Sequence, residues 1–306
     1  MIHRDFTVSI YKELIGSLID AGYSFQTYRE FTEHPDRKVL LLRHDVDARK
    51  KHSLQFAKIQ HEMGIVGTYY FRMVPQSFDE GVIREIASMG HEIGYHYEDM
   101  DFAKGDVDEA YELAKKHLAM LREVAEVKTI CMHGSPRSPY DNKEVWKKYD
   151  YRELGIIAEP YFDLDFSKVL YLTDTSRRWD GESVSIRDKV PGEEIPNDKQ
   201  QISNSSDEGL GMVGAKNRSS RQARTDDSVS SVQQFNSSTV QPLSKKYSFR
   251  STKDIIEACN AGELPDQIMM NFHPQRWTDH PVTWTRELVW QNVKNVVKAG
   301  IVKFRG

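Results

Sequence analysis

The sequence has few cysteines, no long apolar run and no concentrated basic segment. Only two of its 306 residues are cysteines, Cys131 and Cys259, and they form no CxxC pair. A disulfide framework is therefore not expected, which fits a reducing compartment. No apolar run approaches the roughly 20 residues that a membrane helix needs. Met1 to Gly22 carries acidic and basic residues throughout and lacks the apolar core of a signal peptide. We expect a cytoplasmic protein without a membrane span.

The charge pattern argues against a nucleic-acid partner. The formal net charge is -4 at pH 7. A nucleic-acid-binding domain is expected to gather Lys and Arg on one face. Here basic pairs such as Lys50-Lys51 and Lys147-Lys148 are scattered among acidic residues, a pattern typical of solvated helix surfaces. The composition leaves the oligomeric state open.

Large apolar residues are scarce in one polar segment, from about residue 192 to residue 244. Hydrophobic residues make up 39% of the whole chain, and much of the deficit lies in this Ser-, Asn-, Asp- and Gln-rich stretch. Such a composition cannot bury enough apolar surface to offset the entropy lost on ordering. We predict a flexible insertion there. A structured lid is the less favoured alternative, because loops of this length are uncommon in compact domains.

The rest of the chain alternates short apolar runs with amphipathic stretches. The pattern predicts strands at 38–42, 68–71, 91–97, 129–132, 169–172 and 268–272, and helices at 7–21, 53–63, 79–89, 107–125 and 283–299. Strands that alternate with helices favour parallel β/α units in a single domain over residues 1–306. Polar residues cluster where the apolar runs end, as at the C-terminal mouth of a β/α barrel.

The sharpest cluster is Arg43-His44-Asp45-Val46-Asp47, directly after an apolar strand. Alternate side chains of an extended chain share a face, so Asp45 and Asp47 are expected to project together while His44 points away. Two close carboxylates repel each other unless a cation lies beside them. A metal ion meets that need, with one carboxylate binding it and the other free to accept a proton. His44 is expected to be a hydrogen-bonded support residue.

Three further clusters follow later strands. His96 closes the third strand and Glu98 shares its face; nitrogen and carboxylate oxygen are both ordinary zinc ligands. His133 closes the next strand and can bind metal or substrate, and Arg137 follows it and can hold a carboxylate through two hydrogen bonds. His273 closes the last strand, where it is placed for proton transfer. His91 and Cys131 are expected to pack structurally.

These motifs resemble the polysaccharide deacetylase family, also called the NodB-homology family, between about Leu40 and Val302. His44-Asp45-Val46-Asp47 is similar to the first motif, and the run from Gly90 to His96 is close to the second. Arg137-Ser138-Pro139-Tyr140 resembles the third motif, and His273 matches the late histidine. The resemblance implies an incomplete or distorted (β/α) barrel. It also implies Asp45 as base, Asp47 and His96 as metal ligands, Arg137 as the residue that orients the base, and His273 as general acid.

The sequence departs from the family pattern at one ligand. A second metal histidine is expected four residues after His96, but Met100 stands there, a poor ligand for a borderline cation. His133 is our first choice for the third ligand and Glu98 the second. Asp174 is the candidate for the fourth motif.

By this resemblance we expect a metal-dependent deacetylase that carries zinc and acts on an acetylated sugar or glycan precursor. Tyr140, Arg276 and Trp277 are expected to contact the substrate. Two alternatives stay open: an amidohydrolase that acts on a non-sugar amide, and an inactive relative that binds glycan, which Met100 favours. A purely structural interaction protein would leave the four clusters at strand ends unexplained.

Overall fold

A parallel β-sheet of seven strands forms the centre of the protein. The computed structural model describes residues 4–135, 138–179, 242–243 and 246–305; for Ser176 and residues 294–305 it describes only the backbone. The strands are β1 (Ser24–Gln26), β2 (Val39–Val46), β3 (Thr68–Phe71), β4 (Glu92–Tyr97), β5 (Val127–Met132), β6 (Leu170–Thr173) and β7 (Gln267–Phe272).

The strands lie in the order β5-β4-β3-β2-β7-β6, and every registered pair is parallel. β1 pairs with the first half of β2 and β3 with its second half. Among the described residues β5 and β6 do not pair with each other. The predicted α/β class with parallel strands is therefore confirmed, and the sheet is compatible with a barrel-like (β/α) fold.

Helices connect the strands. They are α1 (Val8–Asp20), α2 (Tyr28–Glu33), α3 (Lys50–Glu62), α4 (Glu80–Ser88), α5 (Asp99–Phe102), α6 (Val107–Arg122), α7 (Val145–Lys148), α8 (Pro160–Asp163), α9 (Thr252–Asn260) and α10 (Pro281–Arg305). Short 3-10 helices lie at Asn142–Glu144, Tyr151–Leu154, Thr175–Arg177 and Pro274–Arg276.

Local sequence explains why these helices begin where they do. The Thr7 hydroxyl accepts from the backbone N–H of Ile10 at the start of α1, and Thr27 and Glu30 form a capping box on α2. The predicted helices are present, although α3 begins three residues earlier than predicted. β1, α2, α5, α7, α8 and α9 were not predicted. Their segments are short, and α2 and α9 are marked mainly by capping boxes.

β2 is longer than the apolar run at 38–42 from which it was predicted. Its eight residues are all buried, including Arg43, His44 and Asp45. Strand pairing continues on both sides, to β7 as far as His44 and to β3 as far as Val46. The charged motif therefore lies within the sheet itself, and Asp47 lies just beyond it.

Parallel pairing brings the ends of β2, β4, β5, β6 and β7 to one edge of the sheet, where the predicted clusters lie. In the described part of the chain no helix is long and apolar enough to cross a membrane. The predicted insertion at 192–244 lies outside the described residues, apart from positions 242–243.

Candidate metal and catalytic site

Three side chains meet at the carboxyl ends of β2, β4 and β5. Asp47 Oδ1 lies 3.6 Å from His96 Nε2 and 3.2 Å from His133 Nδ1. The two imidazole nitrogens are 3.3 Å apart. One oxygen and two nitrogens thus form a compact triangle of atoms that are ordinary ligands of zinc and similar divalent ions.

The hydrogen bonds around the triangle leave its ligand atoms available. His96 Nδ1 lies 2.9 Å from the carbonyl oxygen of Cys131, which can only accept. Nδ1 must therefore carry the proton, and Nε2 of the neutral ring keeps its lone pair for a metal. Asp47 Oδ1 is buried without a hydrogen-bond partner. A buried carboxylate oxygen in that state is costly unless a cation satisfies it.

A second possible group of ligands, Asp45 with His96 and Cys131, fits a metal less well. Both oxygens of Asp45 already accept hydrogen bonds from Arg43. Cys131 is fully buried in the hydrophobic core, as expected for a structural cysteine. We therefore take Asp47, His96 and His133 as the candidate metal group.

Asp45 is held by a two-pronged ion pair from its own strand. Arg43 Nε donates to Asp45 Oδ1 at 2.9 Å, and Nη2 donates to Oδ2 at 2.7 Å. Asn271 on β7 adds a hydrogen bond to Oδ2 at 2.9 Å. Burial raises the pKa of Asp45, but the combined attraction of Arg43, His96 and His273 outweighs it and holds the pKa below its usual range. The carboxylate stays ionised, with Oδ2 3.8 Å from His96 Nε2.

Arg43 thus makes the kind of contact with Asp45 that was predicted for Arg137. Arg137 lies outside the described residues, so that prediction stays a prediction. The same alternation that pairs Asp45 with Asp47 also places Arg43 on their face. That signal was present in the sequence, whereas the contribution of Asn271 depends on the register between β2 and β7, which pairs Arg43 with Asn271.

Glu98 lies behind the metal group. Arg72 Nε and Nη2 donate to its two oxygens at 2.9 and 2.6 Å. Its Oε2 lies 3.8 Å from His133 Nε2, the ring nitrogen that points away from the triangle. The geometry therefore favours His133 over Glu98 as third ligand and gives Glu98 a supporting role. Met100 is buried in a separate small apolar cluster.

A third buried acid, Asp174, orients His273 on the other side of Asp47. Asp174 Oδ1 lies 2.6 Å from His273 Nδ1, and Oδ2 accepts from the His273 backbone N–H at 2.9 Å. Arg276 and Trp277 donate to the same carboxylate at 2.8 and 2.7 Å. Burial raises the pKa of Asp174, but His273 and Arg276 together lower it below its usual value. His273 Nε2 is left facing Asp47 Oδ2 at 3.8 Å.

The three residues expected to contact substrate lie in different surroundings. Arg276 lines a cleft beside Asp47. Trp277 is fully buried, and its indole N–H binds Asp174, so it orients that acid and does not line a binding surface. Tyr140 packs against the apolar cluster around Met100. An aromatic residue near a motif is a weak signal for substrate contact, because burial in the core is the commoner use of such residues.

Two other histidines of the motifs are structural, as expected. His44 stacks on Tyr69, with ring centroids 4.1 Å apart, and contacts the Thr68 carbonyl and Gln60. His91 accepts from the Gly67 N–H and contacts the Ala57 carbonyl. Burial lowers the pKa of His44 to about 3 and that of His91 to about 4. Both rings are therefore neutral at physiological pH.

Comparison of the chain with family models, with curated proteins and with solved structures gives no match in any of the three. The functional proposal therefore depends on the geometry of these residues and on their chemistry.

Proposed function

We propose that the protein is a metal-dependent hydrolase that removes an acyl group, in the first place acetyl, from an amino sugar. The observation that carries the proposal is the convergence of Asp47, His96 and His133 on one point between two held groups, Asp45 and His273. The motif resemblance to polysaccharide deacetylases and the barrel-like sheet support the same function and suggest an incomplete barrel of that type.

The residues present fit a divalent ion. The orphaned Oδ1 of Asp47, the unprotonated Nε2 of His96 and the nearby Nδ1 of His133 supply a mixed oxygen and nitrogen donor set of the kind zinc prefers. When bound, such an ion supplies Lewis acidity, which polarises the acyl carbonyl and acidifies water. One carboxylate and two imidazoles would hold the ion through three protein side chains, the number that is usual in catalytic zinc sites.

Asp45 is assigned as general base. It takes a proton from the water that attacks the carbonyl carbon of the acetamide. Arg43 keeps it ionised and fixes its plane, and Asn271 restrains Oδ2. These contacts hold the carboxylate beside the metal group without any need for substrate to organise it.

His273 is assigned as general acid. The C–N bond breaks as the amine leaves, and His273 Nε2 gives that amine a proton, so the products are acetate and a free amino sugar. Asp174 holds the ring through Nδ1 and so orients Nε2 towards the site. Arg276 and Trp277 hold Asp174 in turn, so the acid is oriented by a buried network.

The proposal is tested by metal content and turnover measured together. Protein stripped by chelation and reloaded with zinc should hold about one ion per chain, and Asp47→Ala, His96→Ala and His133→Ala should each lose it. Glu98→Gln should retain it, because Arg72 and not the metal binds Glu98. The exposed His61 provides a matched control, His61→Ala, which should bind metal normally.

Turnover separates the base from the ligands. Asp45→Asn should keep the metal and lose acetate release from N-acetylglucosamine substrates by roughly 10²–10⁴-fold, the usual contribution of a general base. Stoichiometric metal in all three ligand variants, or no metal under any loading condition, would remove the metal-dependent mechanism. Full activity in Asp45→Asn would remove Asp45 from the base role.

A further inference from the structure

A large cleft opens beside the candidate metal group, between the strand ends and α10. It has a volume of about 1310 Å³ and reaches Asp47. Pockets for single small ligands are typically about 300–1,000 Å³. The cleft therefore leaves room for more than the acylated sugar at its inner end.

Arginines line this cleft and are tied to the reactive end by short contacts. Arg49 Nη1 donates to the Gln275 carbonyl at 3.3 Å, and the Gln275 side chain donates to Asp47 Oδ2 at 3.2 Å. Arg276 donates to Asp174, Asp174 contacts His273, and His273 Nε2 lies 3.8 Å from the same Asp47 oxygen. Groups bound by these arginines would lie next to the reacting amide.

The arginines keep donors that the protein itself does not use. Arg276 Nη1 serves Asp174, but its Nε is buried without a hydrogen-bond partner. Arg49 Nη2 is 3.8 Å from Glu287, too far for a hydrogen bond. Arg286 is exposed on α10 at the same cleft, and its guanidinium adds positive charge there. Since an unsatisfied buried donor is costly, the Nε of Arg276 is suited to an anionic ligand.

An apolar ledge continues from the arginines along α10. Val282, Val289, Trp290 and Val293 line the cleft and are 71%, 57%, 50% and 49% exposed. Their spacing places them with Arg286 on one side of the helix. Exposed apolar residues gathered at the rim of a charged cleft are typical of a binding surface.

We propose that the acylated substrate carries a phosphate, bound by Arg49, Arg276 and Arg286, and that an organic group attached to that phosphate lies on the ledge of Val282, Val289 and Trp290. The proposal rests on the proposed function and names its substrate class, a phosphate-linked N-acyl amino sugar. Guanidinium groups bind phosphate through paired hydrogen bonds. The attached group is either a nucleoside, whose base would stack on Trp290, or a polyprenyl chain, and both share the phosphate chemistry.

Binding is the first test, because it does not depend on turnover. Ligand-observed NMR titrations use chelator-treated protein, so that phosphate cannot bind a metal ion. N-acetylglucosamine 1-phosphate should bind at least tenfold more tightly than N-acetylglucosamine. Arg286→Gln and Arg49→Gln should each reduce that preference roughly tenfold, as expected for a lost charge-assisted hydrogen bond. The control Arg37→Gln removes an equal charge before β2, at the opposite end of the sheet, and should leave the preference unchanged.

Longer ligands distinguish the two sources of phosphate. UDP-N-acetylglucosamine and a short-chain polyprenyl phosphate N-acetylglucosamine should each be compared with the sugar phosphate, in wild type and Trp290→Ala. At least one of them should bind more tightly than the sugar phosphate, and Trp290→Ala should reduce that gain in affinity. The ligand that binds more tightly identifies the attached group. If neither gains affinity over the sugar phosphate, the ledge is not part of the site.

Equal affinity for the neutral and phosphorylated sugars would overturn the proposal. Acetate release from neutral sugars without any phosphate preference would leave the proposed hydrolase and remove only this inference. Tight, Arg286-dependent binding of the phosphorylated sugar with no acetate release from metal-loaded protein would support the phosphate site and remove the proposed hydrolase activity.

Discussion

The buried pair of Arg43 and Asp45 offers the sharpest test of how this site is held together. Arg43 is 1% exposed and Asp45 3% exposed, and two hydrogen bonds of 2.9 and 2.7 Å join them. Arg43→Met removes the cation and leaves the carboxylate buried and uncompensated. Breaking a buried pair in this way costs about 3–5 kcal/mol. The remaining bond from Asn271 cannot neutralise the charge.

A double variant separates loss of the ion pair from loss of packing. Arg43→Met with Asp45→Asn removes both charges, so it should be more stable than Arg43→Met alone, because no uncompensated carboxylate remains. The matched control is Arg152→Met, which breaks ion pairs with Asp150 and Asp163. Because the Arg152 side chain is 47% exposed, this loss should cost at most about 1 kcal/mol.

The measurement is urea denaturation of metal-free protein at pH 7, followed by circular dichroism, so that metal binding does not add to the free energy of unfolding. The reasoning is refuted if Arg43→Met costs no more than Arg152→Met. It is also refuted if the double variant is no more stable than the single one, since the loss would then come from packing alone.

Two further outcomes test the sheet. Gly94→Ala should destabilise the fold by about 1–3 kcal/mol or more, because a Cβ there would lie 2.3 Å from the Tyr70 ring. Gly16→Ala on α1 has open space around it and should stabilise the fold by about 0.5–1 kcal/mol. Equal effects of the two substitutions in thermal melts would contradict this. Because His44 and His91 stay neutral when folded, the unfolded chain binds more protons below pH 6.5, and the free energy of unfolding should fall by about 1.4 kcal/mol per pH unit for each ring as the pH drops toward 4. His91→Gln should reduce that slope by the share of one ring in urea titrations, and an unchanged slope would exclude His91 as a source.

Much of the site was visible in the sequence because it follows strand ends. Apolar runs located β2, β4, β5 and β7, and parallel pairing alone then requires their following residues to share an edge. That reasoning brought together Asp47, His96, His133 and His273. It also separated His44 from the site, since alternation turns it into the core.

What the sequence did not show was mostly the partners of the charged groups. Asn271 contacts Asp45 because of the register between β2 and β7, and Arg72 reaches Glu98 across neighbouring strands. The role of Trp277 is likewise a matter of packing: it is fully buried, where its indole N–H reaches Asp174. Such contacts depend on three-dimensional distances that no local sequence pattern specifies.

The position of β7 in the sheet has a consequence for biosynthesis. β2 pairs with β1 and β3 on one side. Within the described part of the chain its other side is covered only by β7, which follows it by more than two hundred residues. At ribosomal rates of about 5–20 residues per second, roughly 10–40 s pass between the synthesis of β3 and that of β7. During that interval the nascent chain presents an unpaired edge formed by Val39, Leu40, Leu41 and Leu42, a template for wrong pairing with other chains. A holdase that shields this edge until translation ends should therefore raise the yield of native protein.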